Sequence, residues 1–375
     1  EIAGLRVAEF FGGPEFEQAV RLSTLGVLCF SLGCRSGAKF VTSSREGIDW
    51  KDFAQLRPYR LFGAWLGLSV SLELVTAILY GSGLLQAVQP ICFTYLAAMV
   101  LLFQYVIYTE RHYALAGLIL SVEVGMGLVG YFGGFKLALF MVTLAALTFA
   151  GRQLRVWGLG AAVVALSILL GTFWQSIKHD YRRFIADGEE GQVVRVPLAE
   201  RLNYLQRALQ AADWASYVAA LDSTLERIGY VTYFGHCLRN VPASVPHAEG
   251  RLWREAVVHV LMPRLLYPNK PELNDSDRTN EFTGLRVADA TEGTSIGIGY
   301  LGESYVDFGV PGMFVPVLLF GLVVGGSYGL MLRLAPNPTL GAALGVAILM
   351  RSGFLLESSN AKMLGGLVIS TFVYV

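Results

Sequence analysis

The sequence predicts an all-α, polytopic helical membrane protein with one large extracytoplasmic loop domain. Three observations carry that expectation. Apolar residues make up 54% of the 375-residue chain and charged residues only 15%, where a soluble domain carries roughly 25% charged residues. The apolar residues come in long blocks, many of them the roughly 17–25 positions that cross a bilayer as a helix. Lys and Arg collect in alternate short loops, a pattern that fixes orientation.

About nine spans are expected, near 18–35, 61–86, 88–108, 113–133, 135–150, 156–175, 310–332, 339–356 and 360–375. The loop after the first holds Arg35, Lys39, Arg45, Lys51, Arg57 and Arg60. Alternate loops beyond it hold Arg111, then Arg152 with Arg155, then Arg333, and the loops between them hold only Lys136 and Lys362. Short basic loops stay in the cytoplasm, so the long segment after the sixth span faces outward. The expected organisation is an N-terminal transmembrane bundle (1–175), a periplasmic loop domain (176–308) and C-terminal transmembrane helices (309–375). The chain opens at Glu1 without Met and stops inside an apolar run, so its natural ends are expected to lie further out. No signal peptide can be read.

The long segment is too large for a plain connector. Residues 173–184 continue the sixth span outward with Lys178, His179, Arg182 and Arg183. Residues 197–237 read as helix, with Leu198, Leu202, Leu205, Leu209 and Trp214 near helical spacing. Residues 241–247 are a proline-broken turn, and 251–262 an amphipathic helix suited to a membrane interface.

Net charge is zero, so no global field points to nucleic acid. Cys29, Cys34, Cys92 and Cys237 imply no disulfide framework. The histidines show no ligand spacing, so neither a metal site nor a cofactor is expected. Gly297-Ile-Gly-Tyr-Leu-Gly302 matches a dinucleotide glycine pattern but lacks the βαβ context, and the sequon at Asn274 is equally weak.

The stretch from Met262 to Gly312 has no packing reason for its composition: it is charged and proline-punctuated between apolar blocks. Pro263, Pro268 and Pro271 restrict the backbone around Arg264 and Lys270, which lowers the cost of ordering them. The block reads as a diphosphate clamp, and equally as snorkelling surface cations. His179, Arg182 and Arg183 share a helix face at an outer span end, where a basic cluster is disfavoured unless used. Glu303 is a candidate general base or an arginine's partner, and Tyr305 a sugar platform or an ordinary interfacial aromatic. Arg351 lies inside the eighth span, where it is a functional candidate unless it bridges to Glu123.

Pro263-Arg-Leu-Leu-Tyr-Pro-Asn-Lys-Pro271, followed after a polar gap by Gly302-Glu-Ser-Tyr-Val-Asp-Phe-Gly-Val-Pro-Gly312, resembles the signature of bacterial O-antigen polymerases and related oligosaccharide repeat-unit polymerases. The motif resemblance covers about fifty residues and the topology nearly all of the chain. It implies a metal-independent inner-membrane glycosyltransferase that joins units carried on undecaprenyl diphosphate at the periplasmic face. The implied partners are that lipid-linked oligosaccharide, membrane lipids, a flippase and a chain-length regulator. Arg264, Lys270, Glu303 and Tyr305 stand in the matching motif; Arg182, Arg183 and His179 follow from charge and position. The expected mechanism has Arg182, Arg183, Arg264 and Lys270 neutralise the leaving diphosphate. Glu303, or His179 in its place, accepts the acceptor hydroxyl's proton. Arg278, Asn280, Thr294 and Ser295 hold sugars. A ligase with a different acceptor is the rival of the same class, and a flippase or transporter the rival of another.

Overall fold

The structure is a computed structural model. It describes residues 12–42, 50–79, 82, 84–151, 154–187, 194–228, 231–262, 266–267, 269–270, 274–287, 295–353 and 357–374. At 50, 86–87, 222–223, 225–228, 348 and 350–353 it describes the backbone alone. Among the described residues the chain is helical, with no strand. In order, the helices are α1 (Pro14–Val41), α2 (Trp50–Gln55), α3 (Pro58–Leu79), α4 (Leu85–Cys92), α5 (Tyr95–Thr109) and α6 (Tyr113–Val129). Next come α7 (Phe135–Leu147), α8 (Arg155–Ile185), α9 (Leu198–Ala211), α10 (Trp214–Ile228) and α11 (Val231–Asn240). The chain closes with α12 (Arg251–Leu261), α13 (Asp275–Thr283), α14 (Gly299–Gly312), α15 (Phe314–Leu334), α16 (Pro338–Gly353) and α17 (Asn360–Tyr374).

Each span expected from the apolar blocks overlaps a helix, although the helix in the expected span 61–86 ends at Leu79. Among the described residues four stretches are long and apolar enough to cross a membrane: Pro58–Leu79, Val88–Thr109, Arg155–Ile185 and Phe314–Leu334. Shorter apolar helices cover Tyr113–Val129, Phe135–Leu147 and Pro338–Ala347. On α3, Leu66, Val70, Leu74 and Ile78 recur every fourth residue and are 46–76% exposed. That face is apolar and largely exposed among the described residues. The polar stretch after residue 274 also contains a helix, α13, that apolar periodicity does not announce. Its start is coded by capping: the Asn274 side chain accepts the Ser276 N–H at 3.1 Å, and Asp275 and Asp277 sit in the first turn. Its end falls at Gly284, whose φ of +69° closes the helix.

The chain forms two compact units. The first contains residues 1–48, 67–97 and 230–375, so it holds α1, α4 and α11–α17. Here α1 and α15 lie against each other along small residues. A methyl added at Gly33 or Gly37 would strike the Leu318 and Leu322 carbonyls, and one at Gly321 or Gly325 the Phe30 and Cys34 carbonyls. Backbones that close gain dispersion contacts without needing a hydrophobic drive, as helix pairs in lipid require. Above this crossing, Leu22, Phe234, Leu252, Phe282, Tyr300 and Tyr305 build a buried core.

The second unit contains residues 49–66 and 98–229. In it α5 is buried from Ala98 to Val106, and Phe135, Leu139 and Phe149 are buried as well. The last carbonyls of α6 are capped from α8 and α9. Tyr181 Oη and Arg201 Nη1 both donate to the Val129 carbonyl at 2.9 Å, and Arg182 Nε donates to the Tyr131 carbonyl at 3.1 Å. These are the carbonyls that a helix end leaves without intrahelical partners.

Candidate functional site

The site lies in the first unit and is organised by α12. Glycine begins this helix: Gly250, at φ +82°, makes the turn into it. Asp307 of α14 then caps it from a distance in sequence, accepting the N–H groups of Leu252 at 3.0 Å and Trp253 at 2.8 Å. A buried carboxylate on first-turn donors both satisfies them and meets the positive helix end. Burial pushes the Asp307 carboxyl up, and the two N–H bonds oppose that. Beside it, Trp253 Nε1 donates to Ser304 Oγ at 3.1 Å, and Ser304 Oγ donates to the Tyr300 carbonyl at 2.7 Å. At Gly309 the backbone kinks through φ +60°, and a Cβ there would meet the His247 ring at 3.1 Å.

Fixed in this way, α12 presents different chemistry on its two flanks. Trp253 and Val257, one turn apart, face an apolar groove of about 590 Å³ with Phe308, Val315, Leu319 and Leu364. Arg254 and Glu255, with Val258 and His259 a turn on, line a second hollow of about 360 Å³ together with Met262, Lys270 and Arg278. Two ion pairs tie α12 to α13: Arg278 Nη2 to Glu255 Oε2 and Arg251 Nη2 to Glu281 Oε1, both at 2.8 Å. Lys270 Nζ donates to the His259 carbonyl. Among the described residues, the hollow therefore carries the cations Arg254, Lys270 and Arg278 and the carboxylate of Glu255.

Behind Arg278 sits Glu303, fully buried. Its Oε2 accepts the Asn360 N–H at the start of α17, at 2.8 Å. Its Oε1 faces Arg278 Nη1 at 3.6 Å, and among the described residues neither atom has a hydrogen-bond partner. Burial pushes the Glu303 carboxyl up to about 7; the Asn360 N–H and Arg278 oppose this, and Asp275 and Asp307 add to it. Asp275 is itself paired with Lys362 at 2.6 Å, and Lys362 also reaches Ser295 Oγ at 2.9 Å.

Of the residues expected at the site, the structure brings Lys270 and Arg278 to the hollow. Several others take different positions. Glu303 is beneath the hollow rather than in it, because α13 and α17 cover it, so it does not reach an acceptor hydroxyl directly. Tyr305 is not a sugar platform: its hydroxyl donates to the Val241 carbonyl at 2.7 Å, and its ring packs edge-on to Phe234 and His247. Asn280 Oδ1 takes the Val287 N–H at 2.7 Å and shapes the turn after α13. Ser295 Oγ serves Lys362 and the Asp275 N–H. His179, Arg182 and Arg183 belong to the second unit, where Arg183 and His179 Nε2 share a 2.9 Å hydrogen bond and Arg182 sits over the Tyr131 ring. Arg264 and Thr294 lie outside the described residues, as does the Arg351 side chain. Glu123 accepts the Trp65 indole N–H at 2.7 Å.

Sequence reasoning missed Arg254, Glu255 and His259. A signal was present: the charged residues of residues 251–262 fall on one flank at helical spacing. Among the described residues no three His, Cys, Asp or Glu side chains gather to hold a metal ion.

Fold and site together define a helical protein, with helices apolar and long enough to cross a membrane, that sets a basic hollow beside an apolar groove. Residues 20–354 match the family described as a domain of unknown function, DUF8712, and the chain belongs to that family. No curated protein and no solved structure matches it.

Proposed function

We propose that the chain is a multi-pass inner-membrane glycosyltransferase that joins oligosaccharide repeat units carried on a polyprenyl diphosphate, with residues 176–308 on the periplasmic side. One observation carries this reading: a single helix, α12, separates an apolar groove from a hollow of three cations. That pairing suits an amphiphile with an apolar tail and a phosphate headgroup. The exposed apolar face of α3 and the alternation of basic loops support the membrane setting and its orientation.

In this reading the tail lies along Trp253, Val257 and Leu319, and the diphosphate meets Arg254, Lys270 and Arg278. These cations stabilise the charge that develops as the diphosphate leaves, an effect strengthened where water is excluded. Glu303 acts through Arg278 as a positioning residue: its carboxylate and that of Glu255 hold the guanidinium from two sides. His259 lines the hollow, and in this reading it is the general base on an incoming hydroxyl.

The test is a reconstituted reaction. The purified chain, given lipid-linked repeat units in bilayers, yields a ladder of polymer. Transfer of one unit to a different acceptor would instead indicate a ligase. No transfer, with the units crossing the bilayer, would overturn the proposal in favour of a transporter.

A further inference from the structure

We infer that filling the hollow with a phosphate-like anion moves a proton from solvent onto Glu303. The inference rests on the reading of the hollow as an anion site, and it concerns how that site is regulated.

The linking residue is Arg278. One part of it lines the hollow. Its Nη2 bonds to Glu255, and its Nη1 stands 3.6 Å from Glu303 Oε1. At that distance the guanidinium compensates the buried carboxylate by charge but not by a hydrogen bond, and among the described residues both atoms are left without one. The other Glu303 oxygen has a single backbone donor, Asn360 N–H. The charged and titratable groups that face Glu303 are few. Arg278 and Asp275 come from α13, Asp307 from its own helix and Cys237 from α11. Glu255 of α12 and Lys362 of α17 join through Arg278 and Asp275, their respective partners. Among the described residues, the charged groups acting on Glu303 directly, apart from Arg278, are acidic, so none of them replaces that cation.

An anion in the hollow competes for the same guanidinium. Its charge is then shared, or drawn outward, and Glu303 becomes a buried carboxylate with weakened compensation. Such a group neutralises itself rather than remain charged. The balance is simple: one proton leaves water and binds the Glu303 carboxylate, one anion enters, and no covalent bond changes. Burial already holds the carboxyl near 7, so a modest loss of compensation completes the step at neutral pH. Because the empty site is ionised above that value and the filled one protonated, affinity falls about tenfold per pH unit there.

The experiment uses the full chain in lipid nanodiscs, with sulfate as probe because sulfate does not titrate near neutrality. Calorimetry at pH 8 in two buffers of different ionisation enthalpy counts protons. The expected result is about one proton taken up per sulfate in the wild type and none in Glu303→Gln, which still binds. Equal uptake in both, or none in the wild type, overturns the inference while leaving the hollow as an anion site. No sulfate or pyrophosphate binding by the wild type overturns both readings. Infrared difference spectra of the wild type, on adding sulfate, provide a check that needs no variant: a protonated carboxyl band must appear, and its absence counts against the inference.

Discussion

Replacing Glu303 by Gln and following stability against pH tests the environment on which the site depends. The carboxyl's ordinary value is 4.5, and the fold raises it to about 7. The sign follows from linkage: between those values the folded state holds the proton more tightly than the unfolded chain does. Stability from this group is therefore fully present below 4.5 and is lost as pH rises through about 7. At about 1.4 kcal/mol per pH unit, the loss across that window is roughly 3 kcal/mol. Gln has nearly the same shape and cannot ionise, so it removes this loss. Denaturant unfolding in detergent micelles at pH 5, 6, 7 and 8 should show the wild type losing ground to Glu303→Gln by roughly 3 kcal/mol over the series. A difference that stays flat within about 1 kcal/mol would refute the claim that a buried, weakly compensated carboxylate lies behind Arg278.

Other consequences follow from the same contacts. Asp307→Ala removes two charge-assisted caps from α12 and should cost about 0.5–2 kcal/mol, with faster amide exchange at Leu252 and Trp253 as the local readout. Gly325→Leu drives a side chain into the Cys34 carbonyl and should destabilise by 1–3 kcal/mol or more, whereas Gly117→Ala, with open space around it, should change stability by less than about 1 kcal/mol; paired thermal melts compare the two. Lys270→Ala with Arg254→Ala should weaken sulfate binding at least about tenfold without lowering the melting temperature, since each charge-assisted contact is worth about 1.5–3 kcal/mol.

The apolar helices were legible because they stand in the sequence as long apolar blocks, and among the described residues each expected block overlaps a helix. The long run of α8 was equally visible, since His179, Arg182 and Arg183 continue its helical spacing. The site was harder to read. Glu303 beside a span looks like a surface base, and only the covering by α13 and α17, distant in sequence, makes it interior. The Asp307 caps link residues 54 and 55 positions apart, which no local pattern encodes. Tyr305 was ambiguous for the same reason, because its partner is the Val241 carbonyl 64 positions away. By contrast, α13 could have been found from Asn274, Asp275 and Asp277 followed by Gly284, had capping been weighed above polarity.

The most direct measurement of the central claim is photolabelling by a polyprenyl diphosphate that carries a diazirine in its tail, followed by peptide mapping. The account predicts labels on Trp253, Val257 and Leu319 that disappear when Arg254 and Lys270 are both replaced by Ala. Labels scattered along exposed apolar helices such as α3, and unchanged in that double variant, would contradict it.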